Sequence, residues 1–371
     1  MKSVLVYRSS YLAVSETFIS DHLRGLETYR PIVAYEREMD AAHKIDLVPH
    51  KIWSGRIGRK LYELFGYSPA LKKLIQRERP ALVHAHFLTD AARLVPFIER
   101  HRLPLIVTAH GYDATTYDEH LSTYPEGRLL LKRADRVAKA ADLIVCVSDF
   151  IRDVLIQRGY PAEKLVTVPL GIDLDLITAR TPCQLGSGIV TVGRHVEKKG
   201  TRYLIEAYGR LPAAIREVHK LTLIGDGPLR AELEALARSL DIEVVFTGGL
   251  SRDETLKRVS EARAFCLPSI RAESGDAEGM PIAVMEALAL GAPTVVFSGQ
   301  HMADRLTASD ACAVVEARDA EALASRLRTI MTDDAVAAHY AAAGRRFCED
   351  EFSLHKNIAK LTSHYDLVSR Q

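Results

Sequence analysis

The sequence predicts a two-lobed α/β protein, each lobe a parallel sheet with helices on both faces. Three features lead there. Short β-branched runs alternate with longer stretches of helical period from one end to the other. That alternation pauses once, near the middle of the chain. Finally, 371 residues exceed the usual size of one domain and are enough to bury two cores.

In the first half the expected strands are 4–7, 31–35, 82–85, 105–109, 143–147 and 166–169, with helices at 16–26, 69–79, 89–99, 127–139 and 149–157. The pause falls at 174–186, where Thr181-Pro182 and Gly186-Ser187-Gly188 are breakers, so the interdomain linker is placed there. The rhythm resumes with strands at 189–192, 221–224, 244–246, 264–267, 294–297 and 313–315. Helices follow at 200–210, 229–240, 253–262, 281–290 and 320–331. Two last helices, 334–348 and 353–367, have no strand after them. The expected domains are residues 1–175, joined by a terminal helix within 353–371, and residues 187–350.

Composition narrows the function. A formal net charge of +1 supplies no global field for nucleic acid. The basic residues do cluster: between Lys51 and Arg79 lie Lys51, Arg56, Arg59, Lys60, Lys72, Lys73, Arg77 and Arg79 against Glu63 and Glu78, interleaved with Trp53, Tyr62, Phe65 and Tyr67. This stretch reads either as a solvated helix pair with aromatics in the core or as a peripheral patch for anionic lipid. Five scattered cysteines make neither a disulfide framework nor a metal-ligand spacing, and point to a reducing cytoplasm. No apolar run approaches the 18 residues of a membrane span.

Four segments carry chemistry. In Glu278-Gly279-Met280-Pro281-Ile282, leading to Glu286, a loop opens into a helix near Pro281. Free amides at the positive end of that helix suit a diphosphate. Glu278 stands in front of the helix and Glu286 within it, and a carboxylate with two accepting oxygens suits a sugar diol. In Gly193-Arg194 through Lys199-Gly200, a planar fork and a point charge flank a strand-to-helix turn. Taken alone, two solvated basic residues would be the plainer account. Gly225-Asp226-Gly227-Pro228 is a glycine turn after a strand, suited to packing against a base. His110 ends a strand, at the edge where ligands of open α/β sheets gather. His84 and His86 end the preceding strand. They are expected to point to opposite faces and, with no carboxylate–histidine motif nearby, to bind no metal. Asp173-Leu174-Asp175 is read as a turn rather than a metal chelate.

Together these segments resemble the family-4 glycosyltransferases, and the likeness runs along essentially the whole chain. The resemblance implies a GT-B fold, two Rossmann-like lobes facing across a cleft with the C-terminal helix crossing back to the first. It implies transfer with retention of anomeric configuration, usually described as a front-face displacement, without a divalent metal or other cofactor. Gly193, Arg194, Lys199 and Gly200 match the turn that binds the donor diphosphate. Glu278 and Glu286 match the paired glutamates expected at the donor sugar and the ribose, with Gly279, Met280, Pro281 and Ile282 between them. His110 takes the place of the histidine near the transferred sugar, and His86 is expected toward the acceptor. Pro169-Leu170-Gly171-Ile172-Asp173 resembles a Pro-Asn-Gly-Ile-Asp segment, with leucine for asparagine.

The chain departs from the pattern after its first strand, where many members have a glycine pair. Here Ser15-Glu16-Thr17-Phe18-Ile19 resembles a subset that builds bacterial exopolysaccharides of the colanic-acid and amylovoran type. Ser15, Glu16 and Thr17 either cap the first helix or meet the acceptor. The partners implied are a nucleotide-sugar donor, UDP-linked in preference to GDP-mannose, and a glycan or polyprenyl-diphosphate-linked acceptor at the inner face of the plasma membrane. A nucleotide-sugar epimerase of similar twin-lobed fold, or a non-catalytic nucleotide-sugar-binding protein, is the rival reading.

Overall fold

The computed structural model describes residues 1–11, 17–38, 47–179, 186–299 and 303–370, without the side chains of Tyr11, Thr17 and Glu38. Ser15, Glu16, Thr181, Pro182 and Cys183 therefore lie outside the described residues; Thr17 opens the helix Thr17–Gly25. The chain divides into two compact units. One comprises Met1–Gly171 with Leu354–Gln371, the other Ile172–Ser353.

Among its described residues the first unit holds seven parallel strands: β1 (Lys2–Tyr11), β2 (Tyr29–Glu38), β3 (His50–Lys51), β4 (Leu82–His86), β5 (Leu105–Ala109), β6 (Leu143–Cys146) and β7 (Leu165–Thr167). Their order is β3-β2-β1-β4-β5-β6-β7. The strand order reverses between β1 and β4, and such a switch point opens a crevice at the carboxyl ends of the strands. β4 and β5 are buried at every position, as strands covered on both faces must be.

β1 runs four residues beyond the apolar run that announces it. Arg8 and Ser9 are tolerated inside because Asp90 answers them: Arg8 Nη1 lies 2.5 Å from its Oδ2, while Ser9 donates to it from both Oγ and backbone N–H. The two-residue edge strand β3 and the short helices Tyr112–Thr115 and Asp118–Leu121 have no counterpart in the sequence pattern, whereas the helix Gly55–Phe65, with Pro69–Glu78, makes the helix pair that is one reading of the basic stretch.

The second unit holds β8 (Ile189–Val192), β9 (Leu221–Ile224), β10 (Val244–Gly248), β11 (Ala264–Leu267), β12 (Thr294–Phe297) and β13 (Ala313–Val315), again all parallel, in the order β10-β9-β8-β11-β12-β13. Its switch point lies between β8 and β11. The core gathers strand residues such as Ile189, Leu221 and Val295 with Leu204, Leu323 and Leu327 from the covering helices. Full burial of each such side chain contributes about 1.5–3 kcal/mol.

The unit boundary falls at Gly171, before the expected 175. Ile172 donates its N–H to Phe352 O and bridges to Ser353, and Ile177 O accepts from Arg345, so residues 172–177 belong with the second unit. Asp173 Oδ1 accepts from Asp175 N–H, the turn expected there. The last helix, Leu354–Val368, returns to the first unit. Its Tyr365 is fully buried, and Asp366 binds Lys2 and the Tyr29 hydroxyl. Asn357 donates to Leu170 O. A Cβ on Gly25 would come within 2.2 Å of Ile358 Cδ1, so a side chain there would ask the tip of Ile358 to move.

Candidate functional site

In the second unit the predicted residues converge on the carboxyl edge of the sheet at its switch point. Gly193-Arg194 follows β8, a one-turn 3-10 helix spans Glu197–Lys199, and Gly200 caps the start of the helix Thr201–Gly209 at φ +61°. A Cβ on Gly200 would meet Pro268 O at 1.9 Å, so no side chain fits. The turn after β9 lies directly against this one. Gly225, at φ +129°, would press a Cβ to 2.1 Å of Gly193 O, and Gly227 would press one to 2.6 Å of His195 O. The two glycines thus serve backbone-to-backbone packing beneath the site.

The loop after β11 is tied to the 3-10 turn at three successive residues. Glu197 Oε1 accepts from Glu273 N–H, Lys198 pairs with Asp276 at 3.0 Å, and Lys199 Nζ reaches Glu278 Oε1 at 2.8 Å. Glu278 is buried, with its charge compensated by that ammonium. Gly279, Met280 and Pro281 are buried beside it. Pro281 is the N-cap rather than a first-turn residue, and the helix proper is Ile282–Ala289. A proline cap offers no side-chain acceptor, so the first amides, at Ile282 and the residue after it, face outward uncapped at the positive end of the dipole. Glu286 lies on the side of this helix, and Arg252 Nε holds its Oε1 at 3.1 Å. Arg194 is exposed, and its side chain makes no ion pair or hydrogen bond among the described residues; its carbonyl accepts from Val196 N–H. One unit thus assembles the predicted Arg194, Lys199, Glu278 and Glu286 around a helix start.

Arg252 escaped sequence reasoning, because nothing in its local pattern ties it to Glu286. Lys198 and Asp276 escaped for the same reason: their partnership exists only across the β8–β11 pairing.

In the first unit His110 follows β5, and Asp113 shapes its loop. Asp113 Oδ1 accepts from the His110 and Gly111 N–H groups and its Oδ2 from Leu88 N–H. His110 Nε2 lies 3.0 Å from His86 Nδ1, between the rings of Phe18 and Phe87. Phe87 sits at φ +72°, a conformation side chains seldom adopt, held by its N–H to Thr108 O and by the Arg8 guanidinium 4.6 Å above its ring.

The expectation that His84 and His86 face opposite ways fails. Residues two apart share a strand face, and these rings stack with centroids 4.4 Å apart. The argument against a metal that leaned on it goes too. His22, unnoticed in the sequence, joins them: its ring centroid is 5.4 Å from that of His84 and 5.3 Å from that of His86. Burial pushes His84, His86 and His110 well below the usual imidazole range and His22 down to about 4. Burial likewise raises the Tyr365 hydroxyl, which meets His84 Nδ1 at 2.6 Å.

Comparison with known proteins places both units. The family model described as Glycosyltransferase Family 4 matches residues 20–176, and the model described as Glycosyl transferases group 1 matches residues 187–347. The colanic acid biosynthesis glycosyltransferase WcaL of Salmonella typhimurium is 33% identical over 223 residues, 59% of this chain and 53% of that protein. The amylovoran biosynthesis glycosyltransferase AmsK of Erwinia amylovora is 30% identical over 257 residues, 67% of this chain and 60% of its own. The aligned part is thus little more than half the length of these relatives. Among solved structures, Anabaena HepE in complex with UDP superposes with a TM-score of 0.78 at 18% identity, covering 99% of this chain and 100% of that one.

Proposed function

Because the chain belongs to the family-4 glycosyltransferases of the GT-B fold, we propose that it moves a sugar from a nucleotide diphosphate to a glycan or polyprenyl-diphosphate-linked acceptor, with retention, in the building of an exopolysaccharide. The observation that carries this reading is the Lys199–Glu278 pair beside the exposed Arg194 and the uncapped start of Ile282–Ala289. These groups suit a departing diphosphate: two cations and a row of amides neutralise it as charge develops, with no metal at the phosphates. Glu278, held by Lys199 in front of the helix, is the carboxylate that meets the donor sugar. Glu286, steadied by Arg252, accepts from the ribose diol. The names of WcaL and AmsK support an exopolysaccharide product, and the UDP complex of HepE makes a UDP-sugar the first donor to try.

On this reading the enzyme works at the cytoplasmic face of the membrane. No helix among the described residues is long and apolar enough to cross one. The helix Gly55–Phe65 instead leaves Ile57, Leu64 and Phe65 exposed among Arg56, Arg59 and Lys60, the composition of a peripheral contact with anionic lipid.

The deciding experiment is a thermal-shift screen against UDP-, GDP- and ADP-sugars, followed by acceptor-dependent release of the nucleotide. A matched donor at one hundred times its Kd adds about 2.7 kcal/mol. Binding without release in the presence of acceptor extracts overturns transfer and leaves a binding protein. Release of an altered UDP-sugar without acceptor leaves an epimerase.

A further inference from the structure

We propose that His22, His84 and His86 form a site for one late first-row divalent ion, Zn2+ foremost, inside the first unit and next to His110. This inference stands apart from the transferase reading, whose donor groups lie in the other unit.

The three imidazoles come from two elements. His84 and His86 project from one face of β4, and His22 from the helix Thr17–Gly25. All three are buried, at 8%, 0% and 1% exposure for His22, His84 and His86, and their ligand nitrogens lie within 4.8 Å of one another. Zinc–nitrogen bonds of about 2.0–2.1 Å place tetrahedral nitrogens about 3.4 Å apart, so binding asks the rings to close by roughly 1 Å.

Two observations point to a ligand there. First, His86 Nε2 is buried with no hydrogen-bond partner among the described residues, which native proteins seldom leave uncompensated. Second, His22 and His86 line a cavity of about 40 Å³, walled otherwise by Thr108, Leu170, Asn357 and Leu361. That volume holds a water or two. A three-histidine zinc site leaves one position open, and the cavity supplies room for the water that fills it.

The donor set narrows the ion. Imidazoles without carboxylate or thiolate suit Zn2+, Cu2+ or Ni2+ and do not suit Mg2+ or Ca2+. The remaining nitrogens already have the partners that ligation requires: His22, ligating through Nδ1, keeps its Nε2 on the Tyr365 hydroxyl at 3.3 Å. If His86 ligates through Nε2, its proton stays on Nδ1 and donates to His110 Nε2, 3.0 Å away. His84 keeps Nδ1 on the Tyr365 hydroxyl and exchanges Thr108 Oγ1, now 2.7 Å from its Nε2, for the ion. The bound ion thereby sets the tautomer of His110.

The test uses tag-free, chelator-stripped protein titrated with Zn2+ against a competing chromophoric chelator. One equivalent is expected, with affinity at least tenfold weaker in His22→Ala and in His86→Gln and unchanged in His339→Ala, an exposed histidine of the other unit. Co2+ in the wild-type protein should give the intense visible absorption of a tetrahedral site, a readout that survives if a variant folds poorly. The proposal is overturned if cooperatively melting wild-type protein takes up no Zn2+, or if natively melting His22→Ala and His86→Gln bind it as wild type does. Because the readout is binding, sugar transfer without ion uptake rejects this inference alone, and ion uptake without transfer rejects the functional reading alone.

Discussion

The Lys199 ammonium lies 2.8 Å from the Glu278 carboxylate, and both side chains are largely shielded from water. Neither charge can be removed alone without stranding the other. Glu278→Gln should therefore cut turnover by about 10²–10³ while changing nucleotide affinity little. Lys199→Met should lose both turnover and stability. The double variant should regain stability and not activity, a coupling that a double-mutant cycle of chemical denaturation reads directly. Additive stability losses would show the pair to be incidental.

Arg194 presents the opposite case. It is exposed, and its side chain makes no ion pair or hydrogen bond among the described residues that a truncation would break. Arg194→Ala should keep its stability within about 0.5 kcal/mol of the parent yet weaken both donor binding and turnover. Calorimetric titration with a UDP-sugar checks the first effect and nucleotide release the second. Near-normal turnover would remove Arg194 from the diphosphate site.

The glycines beneath that site are sterically required. At Gly225, both φ +129° and a Cβ contact of 2.1 Å with Gly193 O oppose a side chain. Gly225→Ala should destabilise by about 2–4 kcal/mol through strain and overpacking. A denaturation midpoint equal to wild type would mean the two turns separate easily.

The buried histidines make a pH prediction for metal-free protein. Folding holds their pKa values below the unfolded value near 6.5, His22 at about 4. Between those values the unfolded chain binds more protons than the folded one. Stability is then fully present above about pH 6.5 and falls as pH drops toward 4. His22 alone accounts for about 2 kcal/mol at pH 5. Urea denaturation compared at pH 7 and pH 5 measures it, and His22→Ala should shrink the difference by about 2 kcal/mol, the other three histidines keeping the rest.

The exposed apolar residues of Gly55–Phe65 predict binding to anionic vesicles that weakens with salt. Sedimentation of wild type against Ile57→Ser/Leu64→Ser separates insertion from charge attraction. Equal indifference to anionic and neutral vesicles would leave the helix a solvated face.

Much of this molecule was legible along the chain. Strand β5 and the strands β8, β9, β11, β12 and β13 fall where alternation and β-branching put them, because a strand buried on both faces must be apolar at every position. The helix Gly55–Phe65 was legible only as one of two readings of the basic stretch: Tyr62 alone is buried while Ile57, Leu64 and Phe65 meet solvent, so no core pattern fixed its bounds. At the site, glycines and prolines marked the turns, and Arg194, Lys199, Glu278 and Glu286 stood out by residue type.

The sequence alone determined the elements, their α/β alternation and the residue types at each carboxyl edge, since these follow from local periodicity and turn chemistry. Only the tertiary structure decided that Lys199 meets Glu278, that Arg252 holds Glu286 and that His22 closes on His84 and His86. Those meetings depend on strand order and on helices packed across the sheet. Charges and rings find their partners through that packing, over distances along the chain that no local pattern encodes.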